Sequence, residues 1–301
     1  MPHAHIPMIG AIRLPGEVAW PARSGRSRRL RHACAALAAL LLGAGSAMAA
    51  EPPPPRPVAV EPPPFGAPRQ GFELNIGAGA LLYPAYQGAR VQRVVPFPSI
   101  SGGYGERVEF DLLDGLRVAA VRFGGFSAGP AARFRFGRHT SDDRAQLHGL
   151  RSFGEAGELG GYIAYEAGPL ALDAIATQDV TGAHGGAALD VRALLGVPLG
   201  RLGIAAGPEL RLVTRRYAEA YYGISPSHSQ ASGRSAYSAA GGLERAGFLV
   251  SGEWWLTGRL ALRGQAEYGR LLGSAAKSPL VRAGGSPDQF YAGLFLTWRL
   301  F

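Results

Sequence analysis

The sequence predicts an all-β fold: a transmembrane antiparallel up-and-down β-barrel of about twelve strands, preceded by a signal peptide and a proline-rich segment. Three observations carry this. Apolar and polar residues alternate over most of residues 71–301, the pattern of strands with one apolar and one polar face. Several of these stretches run past ten residues, whereas ordinary strands average about five or six and a tilted membrane strand needs about 9–11. An export signal opens the chain, and after residue 50 no run of 18 apolar residues could form a helical span. Composition narrows the class further. Charged residues make up 18% of the 301, below the roughly 25% of an average soluble domain. The one cysteine, Cys34, excludes a disulfide scaffold and any zinc or iron–sulfur site built on cysteine.

Residues 1–32 carry Arg13, Arg23, Arg26, Arg28, Arg29 and Arg31 against one acid, Glu17. Ala33 to Ala44 is an uncharged Ala/Leu-rich run, and Ala47-Met48-Ala49 is a small-x-small triplet. Basic, apolar and small-residue regions in that order mark a secretory signal over 1–49, cleaved after Ala49. Cys34 stands at the start of the apolar run instead of closing it, so it is not read as a lipoprotein anchor. Without residues 1–49 the chain keeps 25 basic and 21 acidic residues. No basic stripe with interleaved aromatics remains, so nucleic acid is not expected as a partner. Residues 51–68 hold nine prolines, so 50–70 is read as an extended periplasmic spacer that cannot enter a sheet.

Strands are expected at 71–82, 91–102, 106–112, 115–123, 126–137, 157–167, 169–180, 185–197, 201–218, 237–254, 258–272 and 289–301. In the first, Phe72, Leu74, Ile76, Ala78 and Ala80 alternate with Glu73, Asn75, Gly77 and Gly79; in the last, Phe290, Ala292, Leu294, Leu296 and Trp298 face away from Gln289 and Thr297. Aromatic residues such as Tyr83, Tyr86, Trp254, Trp255 and Trp298 sit toward segment ends, as interfacial girdles require. The spacing of connections gives an independent test. With the N-terminus in the periplasm, loops after odd strands face outward and should be the long ones. The long connections 138–156, 219–236 and 273–288 all follow odd strands, and the short ones near 124–125, 168, 198–200 and 255–257 follow even strands. The barrel therefore covers 71–301.

Residues that carry chemistry are sparse. His139 with Asp142 and Asp143 is the best candidate metal cluster, and its spacing reads as solvated loop charge. Ser225 or Ser229 with His228, in the long loop that holds Ser227-His228-Ser229, are the candidates for a lipase-like nucleophile and base. Adjacency in sequence does not supply the geometry, and no enzyme, cofactor or metal is expected. The polar faces carry both signs: Arg133, Arg135, Arg211 and Arg215 against Glu109, Asp173, Asp190 and Glu267. In a narrow twelve-strand lumen many of these should pair across, whereas inward-facing glycines would leave space.

The segment Tyr83-Pro84-Ala85-Tyr86-Gln87-Gly88 resembles the P-x-Y-x-G signature of the MltA-interacting protein/OmpV family of outer-membrane proteins. Gly129-Pro130 with Gly137-Arg138, Leu147-His148-Gly149-Leu150, Tyr221-Tyr222-Gly223-Ile224-Ser225, and Ala231-Ser232-Gly233 with Tyr237 continue it. The longest match runs from Tyr268 through Leu271, Gly273, Ser278 and Pro279 to Val281. The motif residues are thus Pro84, Tyr86, Gly88, Tyr222, Gly223, Ser225, Ser232, Gly233, Tyr268, Leu271, Gly273, Ser278 and Pro279. Two positions depart from the family: Ser274 stands where an acid is usual, and Trp298-Arg299-Leu300-Phe301 puts the last Phe out of phase. The resemblance implies an outer-membrane barrel in contact with lipid, without catalysis. It further implies a scaffold bridging a lytic transglycosylase and a murein synthase; a small-solute porin or surface adhesin is the alternative, and a lipid hydrolase the remote one.

Overall fold

A computed structural model of the protein describes residues 71–301. The predicted signal peptide, its cleavage site and the proline-rich segment lie outside the described residues. The strands are β1 (Phe72–Pro84), β2 (Gln92–Tyr104), β3 (Val108–Asp111), β4 (Gly115–Val118), β5 (Val121–Phe123), β6 (Phe126–Arg135), β7 (Ala156–Ala167), β8 (Leu170–Asp179), β9 (Ala187–Leu199), β10 (Leu202–Val213), β11 (Gly242–Trp255), β12 (Leu260–Leu271) and β13 (Asp288–Arg299). Apart from β4 and β5, sequence neighbours pair antiparallel, and β1 also pairs β13. The ring closes through β4 and β6, where Leu116 faces Ala132 and Arg117 faces Ala131. β4 and β5 share one wall position, interrupted at Ala119 and Ala120. The result is the expected closed twelve-position barrel, with 115–123 as its broken fourth strand.

Alternation sorts the two faces. On β13, Phe290, Leu294, Leu296 and Trp298 are 40–54% exposed, while Gln289, Tyr291, Phe295 and Thr297 are at most 4% exposed. Removing one such outward side chain from water is worth about 1.5–3 kcal/mol, so this outer band needs a membrane rather than solvent. Tyr104, Phe123, Tyr165, Trp254 and Trp298 ring the short-turn end, and Phe134, Tyr268 and Phe290 stand toward the other. No helix among the described residues is long and apolar enough to cross a membrane.

The short-turn end is built from tight hairpins. β7 and β8 are joined by Gly168 and Pro169 alone, with Gly168 at φ +57°, a left-handed value that glycine adopts without strain. Both ends of the described chain lie here, the Phe72 and Phe301 rings being 6.0 Å apart.

Three expectations need correction. The strand predicted over 201–218 ends at Val213, and α2 (Arg215–Tyr222) follows. Its apolar residues Tyr217, Ala218, Tyr221 and Tyr222 recur at helical spacing and are buried, so a 3.6-residue period takes over from the two-residue one. The strand predicted over 237–254 begins only at Gly242, because Tyr237 is bridged to Ile224 instead. Arg215, placed by sequence on a polar strand face, is the first residue of α2. A bulge opposite Arg211 and Leu212 leaves Glu244 unpaired, so Glu244 and Arg245 are both buried.

Candidate functional site: the crossed lumen and the capped mouth

The inner face carries a belt of buried ion pairs. Asp190 on β9 binds Arg133 of β6 at 2.7 Å and Arg211 of β10 at 2.5 Å. Asp173 on β8 binds Arg117 of β4 at 2.8 Å and Arg192 of β9 at 3.0 Å. Arg245 on β11 serves Glu209 at 3.2 Å and, more closely, Glu267. The expected pairing of mixed-sign charges is therefore present, with several pairs spanning strands that are not neighbours. Interior glycines do not leave open space around them. Gly247 and Gly269 face each other in register, and a Cβ on Gly269 would lie 2.8 Å from Arg245 Cδ. On β13 a Cβ on Gly293 would meet the Phe295 ring at 2.8 Å and Leu81 at 3.1 Å.

The β3–β4 turn folds into this interior. β3 and β4 are only four residues long, so the wall is low and its turn reaches the lumen. Asp111 Oδ1 accepts from the Leu113 and Asp114 N–H groups at 2.8 and 3.3 Å, fixing the turn. Leu113 packs with Leu81, Tyr83, Tyr291 and Phe295 on the β1–β13 side. Asp114 lies 3.8 Å from Arg133 and 3.7 Å from Arg192 on the β6–β9 side. One turn thus bridges two parts of the wall across the passage.

The long connections form a cap over the other end. They contain α1 (Arg144–Leu147), α2, α3 (Pro226–Ser232), α4 (Gly273–Lys277) and α5 (Pro279–Gly284). Tyr217, Tyr221 and Tyr222 of α2 pack with Phe153, Leu271, Ala275 and Val281. A second cluster joins Tyr86, Ala89, Leu147, Leu150, Ile224 and Leu280. The cap is tied to the wall by polar contacts. Tyr222 Oη donates to Glu244 and stands 3.2 Å from Gln87 Oε1, and Arg135 Nη1 donates to Tyr217 Oη at 3.4 Å. Glu158 receives Arg135 Nε at 2.7 Å, Thr177 at 2.8 Å and His184 Nε2 at 2.9 Å. His184 Nδ1 accepts from Gly186 N–H at 3.1 Å, which assigns the ring proton to Nε2. Arg138 is buried and, among the described residues, bonds the carbonyls of Tyr221 at 2.7 Å and Arg151 at 2.9 Å. Burial pulls its guanidinium down to about 10. Burial likewise pushes the Tyr86 phenol up to about 12, and it raises Tyr217, Tyr221 and Tyr222.

Nearly all the motif residues build this cap. Pro84 ends β1, and Tyr86 and Gly88 lie in the loop after it, where Gly88 N donates to Gln289 Oε1 at 2.8 Å. A Cβ on Gly88, at φ +93°, would stand 2.7 Å from Val281. Gly223 caps α2, Ser225 caps the start of α3, and Gly233 closes α3 at φ +71°. Ser232 Oγ donates to His228 O at 2.6 Å. Leu271 ends β12, Gly273 opens α4, and Ser278 with Pro279 begins α5 while Ser278 Oγ donates to Tyr222 O at 2.7 Å. Tyr268 differs: it stands 51% exposed on the outer face and donates to Asp288 at 2.7 Å. Ser274, in place of the usual acid, bonds Tyr237 Oη at 2.9 Å and Ala240 N at 2.8 Å. Sequence reasoning found these positions, and Arg138 within the Gly137-Arg138 match, but missed Glu158, Glu244 and Asp114, which carry the polar network.

The chemical candidates are not assembled into a reactive geometry. Ser225 Oγ accepts the His228 backbone N–H at 3.2 Å and meets Ser227 Oγ at 2.9 Å. Ser229 Oγ donates to Arg234 O at 2.6 Å. The His228 ring makes no hydrogen bond to these serines among the described residues. Asp142 accepts His139 N–H at 2.7 Å, and Asp143 caps α1 through Gln146 N at 3.1 Å. Among the described residues no cluster of three His, Cys, Asp or Glu could hold a metal.

Several solved structures resemble the chain at low similarity. An outer membrane channel from Pseudomonas putida F1 shares 12% identity at TM-score 0.34, over 82% of this chain and all of that one. OprD from Pseudomonas aeruginosa shares 10% at TM-score 0.33, over 76% of this chain. An anion-selective porin from Comamonas acidovorans shares 12% at TM-score 0.30, over 76% of this chain and 98% of that one. The chain spans 65% of the length of OprD. No curated protein sequence matches it. Residues 76–300 match the family model of the MltA-interacting protein MipA. A closed barrel with an apolar outer band, matched over that span, belongs to the MltA-interacting protein MipA family and resides in the outer membrane.

Proposed function

We propose that this barrel is a non-catalytic scaffold that holds murein-processing enzymes, a lytic transglycosylase and a murein synthase, at the inner surface of the outer membrane. The observation that carries the reading is the obstruction of its interior. The β3–β4 turn bridges the lumen at Leu113 and Asp114, and buried tyrosines of α2 fill the mouth. A barrel so filled is poorly suited to passing solutes and well suited to being a rigid anchor. The family description, an MltA-interacting protein, supports a murein hydrolase as one partner. Such partners work on the periplasmic side, where the hairpins are short and the described chain begins and ends. Contact would fall to those turns and to the proline-rich segment 50–70, which is long enough to reach beyond the barrel rim.

The test is retention of a lytic transglycosylase and a murein synthase on the immobilised full-length barrel. Retention is expected, and deleting 51–70 should weaken it. Retention unchanged by the deletion would move the contact to the periplasmic turns. No retention of either enzyme would refute the scaffold.

A further inference from the structure

Two clefts meet at the outer edge of the membrane-facing wall. The first is an apolar groove of about 440 Å³ on the outer surface, lined by Ala176, Ala187, Leu189, Leu212 and Gly242. Small side chains hollow the wall here, within a band otherwise studded with leucine, valine and aromatic rings. All these residues lie on the loop-proximal halves of β8, β9, β10 and β11, which places the groove at the depth of the outer leaflet.

The second cleft, of about 670 Å³, is lined by Arg151, Arg215, Arg216 and His228, with Glu219 as the one carboxylate. Glu219 lies 3.7 Å from Arg215 and accepts from Ser238 at 2.6 Å, while Arg215 donates to Ser238 at 3.1 Å, so the one carboxylate offsets part of the Arg215 charge and leaves Arg151 and Arg216 in excess. The start of α2 adds to the positive character. The Thr214 hydroxyl accepts Ala187 N–H at 2.8 Å instead of capping the helix, and the first turn holds no acid.

The clefts adjoin along the chain. Thr214 lines the groove, and the next residue, Arg215, lines the cationic cleft. On the facing strand Gly242 lines the groove, and Gly241 approaches so closely that its Cβ would stand 2.6 Å from Arg215 N. An apolar slot at the depth of the outer leaflet therefore ends one residue away from the arginines of the cationic cleft. We propose that this composite site binds a phosphorylated, acylated lipid of the outer leaflet. One acyl chain lies along the Ala176–Ala187–Gly242 groove, and a phosphate is held by Arg215 and Arg216. Arginine forks match phosphate oxygens, and the shared chain of contacts rewards a ligand carrying both charge and tail. A soluble anion would use only the upper cleft. The proposal is independent of the scaffold reading.

The experiment uses the full chain in detergent and native mass spectrometry with bisphosphorylated lipid A, its dephosphorylated form, and inorganic phosphate as competitor. The wild-type barrel should retain the phosphorylated lipid at least about tenfold better than the dephosphorylated one, the difference expected for one charge-assisted contact. Inorganic phosphate should not displace it. The double variant Arg215→Ala/Arg216→Ala and the groove-filling Ala187→Phe should each lower retention by about tenfold or more, with the heat-modifiable gel shift confirming folded barrels. The comparison of the two lipids on wild type needs no variant, so a folding defect cannot mask the result. Equal retention of both lipids, or full retention by the arginine variant, would overturn the proposal. Displacement by inorganic phosphate would assign the cleft to soluble anions and overturn it as well.

Discussion

Glu158 is the position where a conservative change should be costly. Its carboxylate is fully buried and faces only donors: Arg135 Nε at 2.7 Å, Arg135 Nη2 at 3.0 Å, Thr177 Oγ1 at 2.8 Å and His184 Nε2 at 2.9 Å. In Glu158→Gln one carbonyl oxygen replaces two carboxylate oxygens, and the new amide adds donors to a site that lacks acceptors. The buried Arg135 guanidinium is left without its counter-charge, a loss of about 3–5 kcal/mol. The effect should spread beyond the strand, because Arg135 also donates to Tyr217 Oη and lies under its ring at 5.4 Å. Urea unfolding in detergent, followed by tryptophan fluorescence and the heat-modifiable gel shift, measures this directly. The double change Arg135→Met/Glu158→Leu removes both ions and should cost about 1–3 kcal/mol less than the sum of the two singles. If Glu158→Gln unfolded within about 0.5 kcal/mol of wild type, the argument that this pair fastens the cap to the wall would be wrong.

Two further outcomes follow from the packing and the cap. Gly269→Leu should lower stability by about 1–3 kcal/mol, read as a lower gel-shift temperature, because its Cβ would already stand 2.8 Å from Arg245 Cδ; an unchanged temperature would mean the interior has room to spare. Raising the pH should ionise the cap tyrosines late. Burial raises Tyr86 from 10.0 to about 12, so its contribution to stability is complete below 10 and is lost as pH climbs through about 12. Burial shifts Arg138 in the opposite direction: its buried charge opposes folding throughout this range and adds no transition of its own. The clean signal is therefore tyrosinate absorbance, in which a late group of tyrosines should ionise together with opening of the cap. A single early transition for all tyrosines would contradict the buried cap.

The barrel was legible because its physics is local. A two-residue period marks each wall, as in Phe290–Trp298, and the need for short turns on one side orders the loops. Closure and strand number followed from these. What escaped depends on partners distant in sequence. Nothing near Leu112, Leu113 and Asp114 says that this turn folds inward; that follows from β3 and β4 being short and from Arg133 and Arg192 lying opposite. The bulge at Glu244 is likewise invisible until the β10 register is known. Helix α2 had a readable signal in Tyr217, Ala218, Tyr221 and Tyr222, overlooked because the alternation of β10 runs straight into it. The motif residues were found by resemblance, but only the structure gives them a physical role as caps, turns and contacts of one layer.

The central claim is that this barrel is obstructed and serves as an anchor rather than a passage. Conductance of the purified full chain in planar bilayers tests it most directly. The bridging turn and filled mouth predict incorporation without stable current steps. Steady, reproducible ohmic steps from a heat-modifiable, correctly folded barrel would contradict it.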